Sequence, residues 1–152
     1  MSTRLSSATS AAARAAVIDT GPLYALFDSK DRWHKKTHAW LAQNPKTQLI
    51  TTWVVLAEVC HLLSQRLHNQ AALDFLAWIQ RGGVSIDTPD QNLTLDHVLA
   101  TCTRYADLPM DLADASVAET ATRLGIRHIL SVNPDLTIYR DAKGRSLNNA
   151  LI

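Results

Sequence analysis

Short apolar runs alternate along the chain with longer segments in which apolar residues recur at helical spacing. The short runs predict β-strands at about 15–18, 47–51, 84–86 and 128–132. The longer segments predict helices at about 23–27, 33–44, 53–67, 70–80, 93–105 and 110–125. Strands that are separated by helices are typical of βαβ units. The pattern therefore predicts an α/β fold around a parallel sheet.

Turn-forming residues separate these predicted elements. Pro45 stops the second helix, Gly82 follows the fourth, and Pro109 comes before the last. Residues 1–14 are rich in Ser, Ala and Thr, and we expect a flexible N-terminal tail there. We interpret residues 15–152 as a single domain, because no linker, internal repeat or low-complexity segment interrupts them.

Composition narrows the class of protein. A chain of 152 residues is long enough to bury roughly 70% of the surface that its unfolded form exposes. An apolar fraction of 47% argues against disorder, and a net charge of +1 does not by itself demand a nucleic-acid partner. No run approaches the roughly 20 apolar residues that span a bilayer. Cys60 and Cys102 match no metal-binding or redox spacing, so we expect free thiols in a soluble, cytoplasmic protein.

Four acidic residues occur in apolar surroundings, where an isolated charge is costly unless it is paired or bound to a cation. Asp19 ends the first strand, which is the position where open α/β sheets bind their ligands. Glu58 lies within an apolar helical segment, and Asp111 and Asp114 are three residues apart on one helical face. Together the four residues favour a shared acidic cluster.

Three of these acids also have a purely structural interpretation. Asp19 can cap a strand end, and Glu58 can pair with an arginine. Asp111 can complement the dipole at the N-terminus of its own helix, and this capping role competes evenly with a role as a ligand. Asp114 lies deeper in that helix, where a capping role explains it less well.

Clustered carboxylates without histidine or cysteine favour hard cations, so Mg²⁺ or Mn²⁺ is expected rather than Zn²⁺. Such ions activate a bound water, orient a phosphodiester and stabilise the leaving oxygen. The candidate chemistry is therefore phosphodiester hydrolysis.

Four segments carry a resemblance to a known family. They are VIDTGPL at 17–23, TTWVVLAEV at 51–59, MDLADAS at 110–116, and ILSVNPDL at 129–136 ahead of Tyr139 and Arg140. In order and spacing these segments resemble the PIN domain family and, within it, the VapC-like toxins of bacterial toxin–antitoxin modules. The resemblance covers about residues 15–140. It implies a three-layer α/β/α fold with a central, mainly parallel sheet of four to five strands.

The resemblance also implies roles for the acids. Asp19, Glu58 and Asp114 match the first, second and third acids of the family, and Asp111 matches a frequent extra acid on the same helix. These residues would hold Mg²⁺ or Mn²⁺, with Asp19, Glu58 and Asp114 as the catalytic set. The implied activity is that of a metal-dependent endoribonuclease that forms a homodimer and is inhibited by a small antitoxin protein.

At the fourth position of the motif, Asn133 stands where the family usually has an aspartate. Its amide oxygen can coordinate a cation but adds no negative charge, so the affinity for a metal ion should be weaker unless Asp111 or Asp135 substitutes. Two functions follow from this departure. One is a toxin ribonuclease, and the other is a PIN-fold module that binds RNA or protein without cleaving.

The second helical region combines positive charge with aromatic residues. Trp33, Trp40 and Leu41 are seven and eight positions apart, which predicts a shared apolar face in the core or at an interface. Four basic residues are candidate contacts to RNA phosphates, or simply a solvated face: Lys30, Arg32, Lys35 and Lys36.

Two other catalytic motifs are excluded by the rest of the pattern. The tripeptide that begins at Asp19 is also found in aspartic proteases, but their fold is all-β and uses two aspartates. Glu58 and His61 have the Glu-x-x-His spacing of di-iron bundles, which need two copies of it. The chain contains one copy.

Overall fold

Short parallel strands form the centre of the protein, seen in a computed structural model that describes residues 15–108 and 110–152. The strands in these residues are β1 (Ala15–Ile18), β2 (Gln48–Thr51), β3 (Ser85–Ile86), β4 (His128–Leu130) and β5 (Asn148–Asn149). They form one sheet in the order β3-β2-β1-β4-β5, and every neighbouring pair is parallel. The expected α/β class with a parallel sheet of four to five strands is confirmed. The predicted tail at 1–14 and the break at Pro109 lie outside the described residues.

Helices fill the connections between the strands, as parallel neighbours require. Those in the described part of the chain are α1 (Thr20–Leu26), α2 (His34–Gln43), α3 (Trp53–Arg66), α4 (Asn69–Gln80), α5 (Gln91–Arg104) and α6 (Leu112–Arg123). A 3₁₀ helix, Pro134–Thr137, follows β4. Helices form at all six positions where the sequence predicts them.

The path of the chain through the sheet creates a crevice. From β1 the chain moves outward through β2 to β3, and it then returns to pair β4 with the other side of β1. The strand order therefore reverses between β1 and β4, and open α/β sheets bind ligands at the carboxyl ends of strands at such a point. Asp19 follows β1 and Ser131 follows β4 at this edge.

Helix α6 is buried over most of its length and packs behind the crevice. It contacts α3, α5 and β1, and every residue from Ala113 to Ala121 is buried. Five of these nine residues are alanine or serine, small side chains that allow close approach of neighbouring elements. Buried Glu119 within this stretch accepts a hydrogen bond from Arg123 Nε at 2.8 Å, and Arg123 also pairs with Asp87.

Several boundaries differ from the sequence-based expectation. Helix α1 begins at Thr20 rather than Leu23, because Asp19 caps it and Pro22 is tolerated in a first turn, where its missing N–H has no helical partner anyway. The last strand was expected to reach 132 but ends at Leu130. Strand β5 was not predicted, because its two asparagines carry no apolar signal.

Two expectations about the environment can be compared with the described residues. Within 15–108 and 110–152, no helix is both long enough and apolar enough to cross a membrane. Cys60 and Cys102 are both free thiols, as expected from their spacing.

Candidate active site

A cleft of about 300 Å³ opens at the carboxyl edge of the sheet, beside the ends of β1 and β4. Five of the six predicted metal-site residues line it: Asp19, Glu58, Asp111, Asp114 and Asn133. Asp19 precedes α1, Glu58 lies on α3, Asp111 and Asp114 lie at the start of α6, and Asn133 follows β4. These residues are far apart in the sequence. Asp135 does not line the cleft. The structure therefore brings together the four acids, and their role as metal ligands stays a prediction.

Hydrogen bonds to three residues hold Asp19 in place. Its N–H donates to the Leu130 carbonyl at 2.9 Å, which extends the pairing of β1 with β4 by one residue. Its carboxylate accepts from the Thr20 N–H at 2.8 Å, capping α1, and from Ser131 Oγ at 2.8 Å. Burial raises the pKa of Asp19 to about 6, although these two donors lower it, and the charges of Asp111 and Glu58 raise it further.

Asp114 projects from the first turn of α6. Its N–H donates to Asp111 Oδ1 at 2.8 Å, so Asp111 is the N-cap of the helix. The capping role considered for Asp111 is confirmed, and its exposed position still leaves it on the cleft wall. Burial raises the pKa of Asp114 to about 7, with repulsion from Asp19 and Asp111 acting in the same direction.

Asn133 occupies the fourth position and presents a hydrogen-bond donor to the acids. Its Nδ2 donates to Asp114 Oδ2 at 3.2 Å, while its Oδ1 accepts from the Asp135 N–H at 3.0 Å and caps the 3₁₀ helix. Its own N–H donates to Ser131 Oγ at 2.9 Å. The amide thus steadies one carboxylate, and its oxygen is already engaged away from Asp114.

Glu58 lies on α3 and is hydrogen-bonded to Thr20, which begins α1. Thr20 Oγ1 donates to Glu58 Oε2 at 3.0 Å, and the N–H of the same threonine donates to Asp19. One residue therefore holds two of the acids. Gly21 lies next to it, and a Cβ at Gly21 would come within 2.3 Å of Val132 Cγ2, so only glycine lets α1 lie this close to the end of β4.

A family model for the PIN domain matches residues 16–142, which is most of the chain. The chain belongs to the PIN domain family. The predicted membership is confirmed, and it comes with the fold described above. No curated protein matches the chain.

This PIN domain is also similar to a solved structure. The crystal structure of Mycobacterium tuberculosis VapC20, described as a toxin that cleaves the sarcin–ricin loop, superposes with a TM-score of 0.72. The two sequences are 21% identical, and the match covers 78% of this chain and 90% of that chain. At this identity the likeness establishes a shared fold.

The sequence analysis did not identify several residues in and around the cleft. Thr20 and Ser131, which donate hydrogen bonds to Asp19 and Glu58, are small polar residues that gave no signal of their own, and Ser131 was predicted to lie inside a strand. Arg66 lines the cleft as well. Its spacing gave a usable signal, because residues 58, 62 and 66 follow one another at intervals of four and share one face of α3.

Trp33 was expected on the apolar face of α2, in the core or an interface, together with Trp40 and Leu41. The structure separates them. Trp40 and Leu41 pack against the core, whereas Trp33 is the N-cap residue of α2 and lines the cleft.

The basic residues predicted to contact RNA surround Trp33 rather than the acids. All four are exposed, and none lines the cleft: Lys30, Arg32, Lys35 and Lys36. The guanidinium of Arg32 lies 5.3 Å from the centre of the Trp33 ring, and Lys36 Nζ lies 5.2 Å from it. Their contact with RNA stays a prediction.

The chemistry of the cleft fits a hard divalent cation. Its acidic side chains offer oxygen ligands alone, and Asp19 and Asp114 have a raised pKa because they are buried and lie near other acids. A bound cation would relieve both effects. In residues 15–108 and 110–152, however, no three acidic, histidine or cysteine side chains already converge on one point. Binding of a cation would therefore bring these carboxylates closer together than they lie here.

Proposed function

We propose that this PIN domain is a Mg²⁺- or Mn²⁺-dependent endoribonuclease that hydrolyses RNA phosphodiester bonds with an activated water. One observation carries the proposal. Asp19 and Asp114 lie in one cleft with Glu58 and Asp111, and burial and mutual repulsion raise the pKa of the first two to about 6 and about 7. Such an arrangement costs folding free energy in the absence of a cation, and perturbed acids in a cleft are typical of catalytic sites.

Asp19, Glu58 and Asp114 would hold the cation, with Asp111 at the rim of the cleft. The cation would supply a nucleophilic hydroxide and neutralise charge on the phosphate. The surrounding residues keep the acids in place: Ser131 and Thr20 donate to Asp19, Thr20 also donates to Glu58, and Asn133 donates to Asp114. Each of these donors favours the ionised carboxylate, which is the form that binds a cation.

We further propose that the protein is the toxin of a toxin–antitoxin module, acts as a homodimer and is inhibited by a small antitoxin. Two observations support this reading: the resemblance of the four motifs to VapC-like toxins, and the fold shared with a VapC toxin over 90% of that chain. Exposed leucines offer apolar surface for protein partners, among them Leu73 and Leu76 on α4 and Leu95 and Leu99 on α5.

The test is cleavage of a generic single-stranded RNA in Mg²⁺, in Mn²⁺ and in EDTA. The wild type is compared with Asp19→Asn and with Asp96→Asn, which changes an exposed carboxylate of α5 outside the cleft. We expect cleavage by the wild type and Asp96→Asn in either metal, and a loss of at least about a hundredfold in Asp19→Asn. Equal cleavage by all three proteins would remove Asp19 from the mechanism.

The second candidate function is a PIN-fold module that binds RNA or protein without cleaving it. The observation in its favour is Asn133, which places an amide donor against Asp114 where the family usually has a fourth acid. Such a module would bind RNA yet leave it intact in saturating Mn²⁺. Cleavage that appears only in Asn133→Asp would establish this alternative for the wild type.

A further inference from the structure

An acidic cleft repels the phosphates of RNA, so the groups around it must supply much of the affinity for a nucleic-acid substrate. The described residues on the walls of the cleft include one tryptophan, Trp33, and one arginine, Arg66. Neither residue belongs to the acidic cluster. Proteins that bind single-stranded nucleic acids use both types of side chain, an aromatic ring to stack on a base and a cation to bind the backbone.

Trp33 is placed as a surface for stacking and not as a core residue. Trp40 and Trp78 pack against the hydrophobic core, whereas Trp33 is half-buried and lines the cleft. Its backbone N–H donates to Asp31 Oδ1 at 2.8 Å, which fixes the backbone at the start of α2. A rigid aromatic ring beside a reactive cleft offers a base a stacking partner at little entropic cost.

Two cations lie beside the Trp33 ring. Arg32 and Lys36 lie over its ring at 5.3 and 5.2 Å, and both are exposed. A base stacked on this ring would therefore lie close to a positive charge that can bind the phosphate of the same nucleotide.

Arg66 is a cation without an acidic partner in the described part of the chain. Its guanidinium lies 5.1 Å from the centre of the Tyr24 ring, a contact that holds it at the cleft. It is eight residues from Glu58 on α3, so the two lie about 12 Å apart along the helix axis. An arginine at that distance can bind a phosphate next to the one at the acids.

We propose that Trp33 stacks on a base of single-stranded RNA beside the scissile phosphate, and that Arg66 binds a neighbouring backbone phosphate. The inference rests on the proposed function only for its choice of RNA as ligand. A base must be unpaired and free of its neighbours to stack on the Trp33 ring, so the subsite is expected to select single-stranded RNA.

The experiment measures binding without cleavage, so its outcome does not depend on catalysis. Labelled ten-residue oligoadenylate is titrated in EDTA at low salt, and inorganic polyphosphate serves as a probe that carries charge without bases. The variants are Trp33→Ala, Trp33→Phe, Arg66→Ala and the control Trp53→Ala, which changes an exposed tryptophan outside the cleft. Thermal melting of each variant verifies folding.

We expect Trp33→Ala to weaken oligoadenylate binding roughly tenfold, the cost of one lost base stack, and to leave polyphosphate binding unchanged. Trp33→Phe should retain most of the affinity, and Trp53→Ala all of it. Arg66→Ala should weaken both ligands and lower the salt dependence by about one phosphate contact. Oligoadenylate affinity of Trp33→Ala within twofold of wild type would overturn the stacking role, as would an equal loss for polyphosphate.

A second readout does not require the alanine variant to fold. Stacking should quench tryptophan fluorescence when oligoadenylate binds, and the quenching should disappear in Trp33→Phe but persist in Trp53→Phe. Quenching that persists in Trp33→Phe would refute the proposal. A wild type that binds with these signatures but never cleaves in Mn²⁺ would retain the subsite and refute the ribonuclease function, so the two failures are distinguishable.

Discussion

Neutralising Asp19 should stabilise the metal-free protein while abolishing its use of a cation. The carboxylate is 4% exposed, and its pKa rises from an ordinary value of 3.8 to about 6, chiefly because of burial. The folded protein therefore binds the proton more tightly than the unfolded chain does. As the pH rises through this interval, ionisation of Asp19 lowers the free energy of unfolding, and below it both states are protonated and the loss vanishes.

The magnitude follows from the pKa difference. One pKa unit corresponds to about 1.4 kcal/mol, so Asp19 costs about 3 kcal/mol of stability at pH 8. Asp19→Asn keeps an oxygen that can accept from Thr20 or Ser131 but carries no charge. We expect it to raise the melting temperature at pH 8 by roughly 6 to 12 °C in EDTA, and by roughly half as much at pH 5, where the folded wild type still holds most of the proton.

The assay is thermal unfolding in EDTA and in excess Mg²⁺ at both pH values, with Asp96→Asn as the matched control. Mg²⁺ should stabilise the wild type and the control at pH 8, and should have much less effect on Asp19→Asn. Cation binding must displace protons from the acids, so the stabilisation by Mg²⁺ should grow between pH 5 and pH 8. An Asp19→Asn variant no more stable than wild type at pH 8 in EDTA would refute the reasoning.

Two further substitutions test the site, and a third tests the ion pair on α6. Asn133→Asp adds a charge to the cleft and should tighten Mn²⁺ binding in calorimetry, and unchanged affinity would place this residue outside the cation site. Gly21→Ala forces a Cβ against Val132 and should cost about 1 to 3 kcal/mol in denaturant unfolding, with loss of cleavage. Arg123→Met leaves buried Glu119 without its partner and should cost about 3 kcal/mol at pH 7, so a stability within 1 kcal/mol of wild type would contradict that pairing.

Much of the fold could be predicted because local pattern and tertiary packing agree. Helix α3 was expected at 53–67 and occupies Trp53–Arg66, because Thr52 caps it and its apolar residues face the core. Strand β1 lies where its apolar run predicted it. By contrast, β5 is held by pairing with β4 and by hydrogen bonds of Asn149 with Ser131, so its stability comes from neighbours and leaves little trace in its own two residues.

The candidate site was likewise predicted only in part. The acids were recognisable because a carboxylate in an apolar segment is conspicuous. The position of Asp19 follows from the parallel sheet, whose strands end at one edge, whereas the packing of α3 and α6 brings the other acids there. Their partners were not recognisable. The hydrogen bond from Ser131 to Asp19 spans 112 positions, and nothing in the residues near either one marks it.

The alternation of strands and helices, the four acids in apolar segments and a family resemblance that the comparison confirmed could all be inferred from the sequence. These features are local, since each depends on periodicity or on one residue's chemistry. Tertiary packing was needed to show that Asn133 presents its amide N–H to Asp114 and that Trp33 lines the cleft instead of the core. Burial, pKa and side-chain direction depend on which segments surround a residue, and packing brings those segments together from distant parts of the chain.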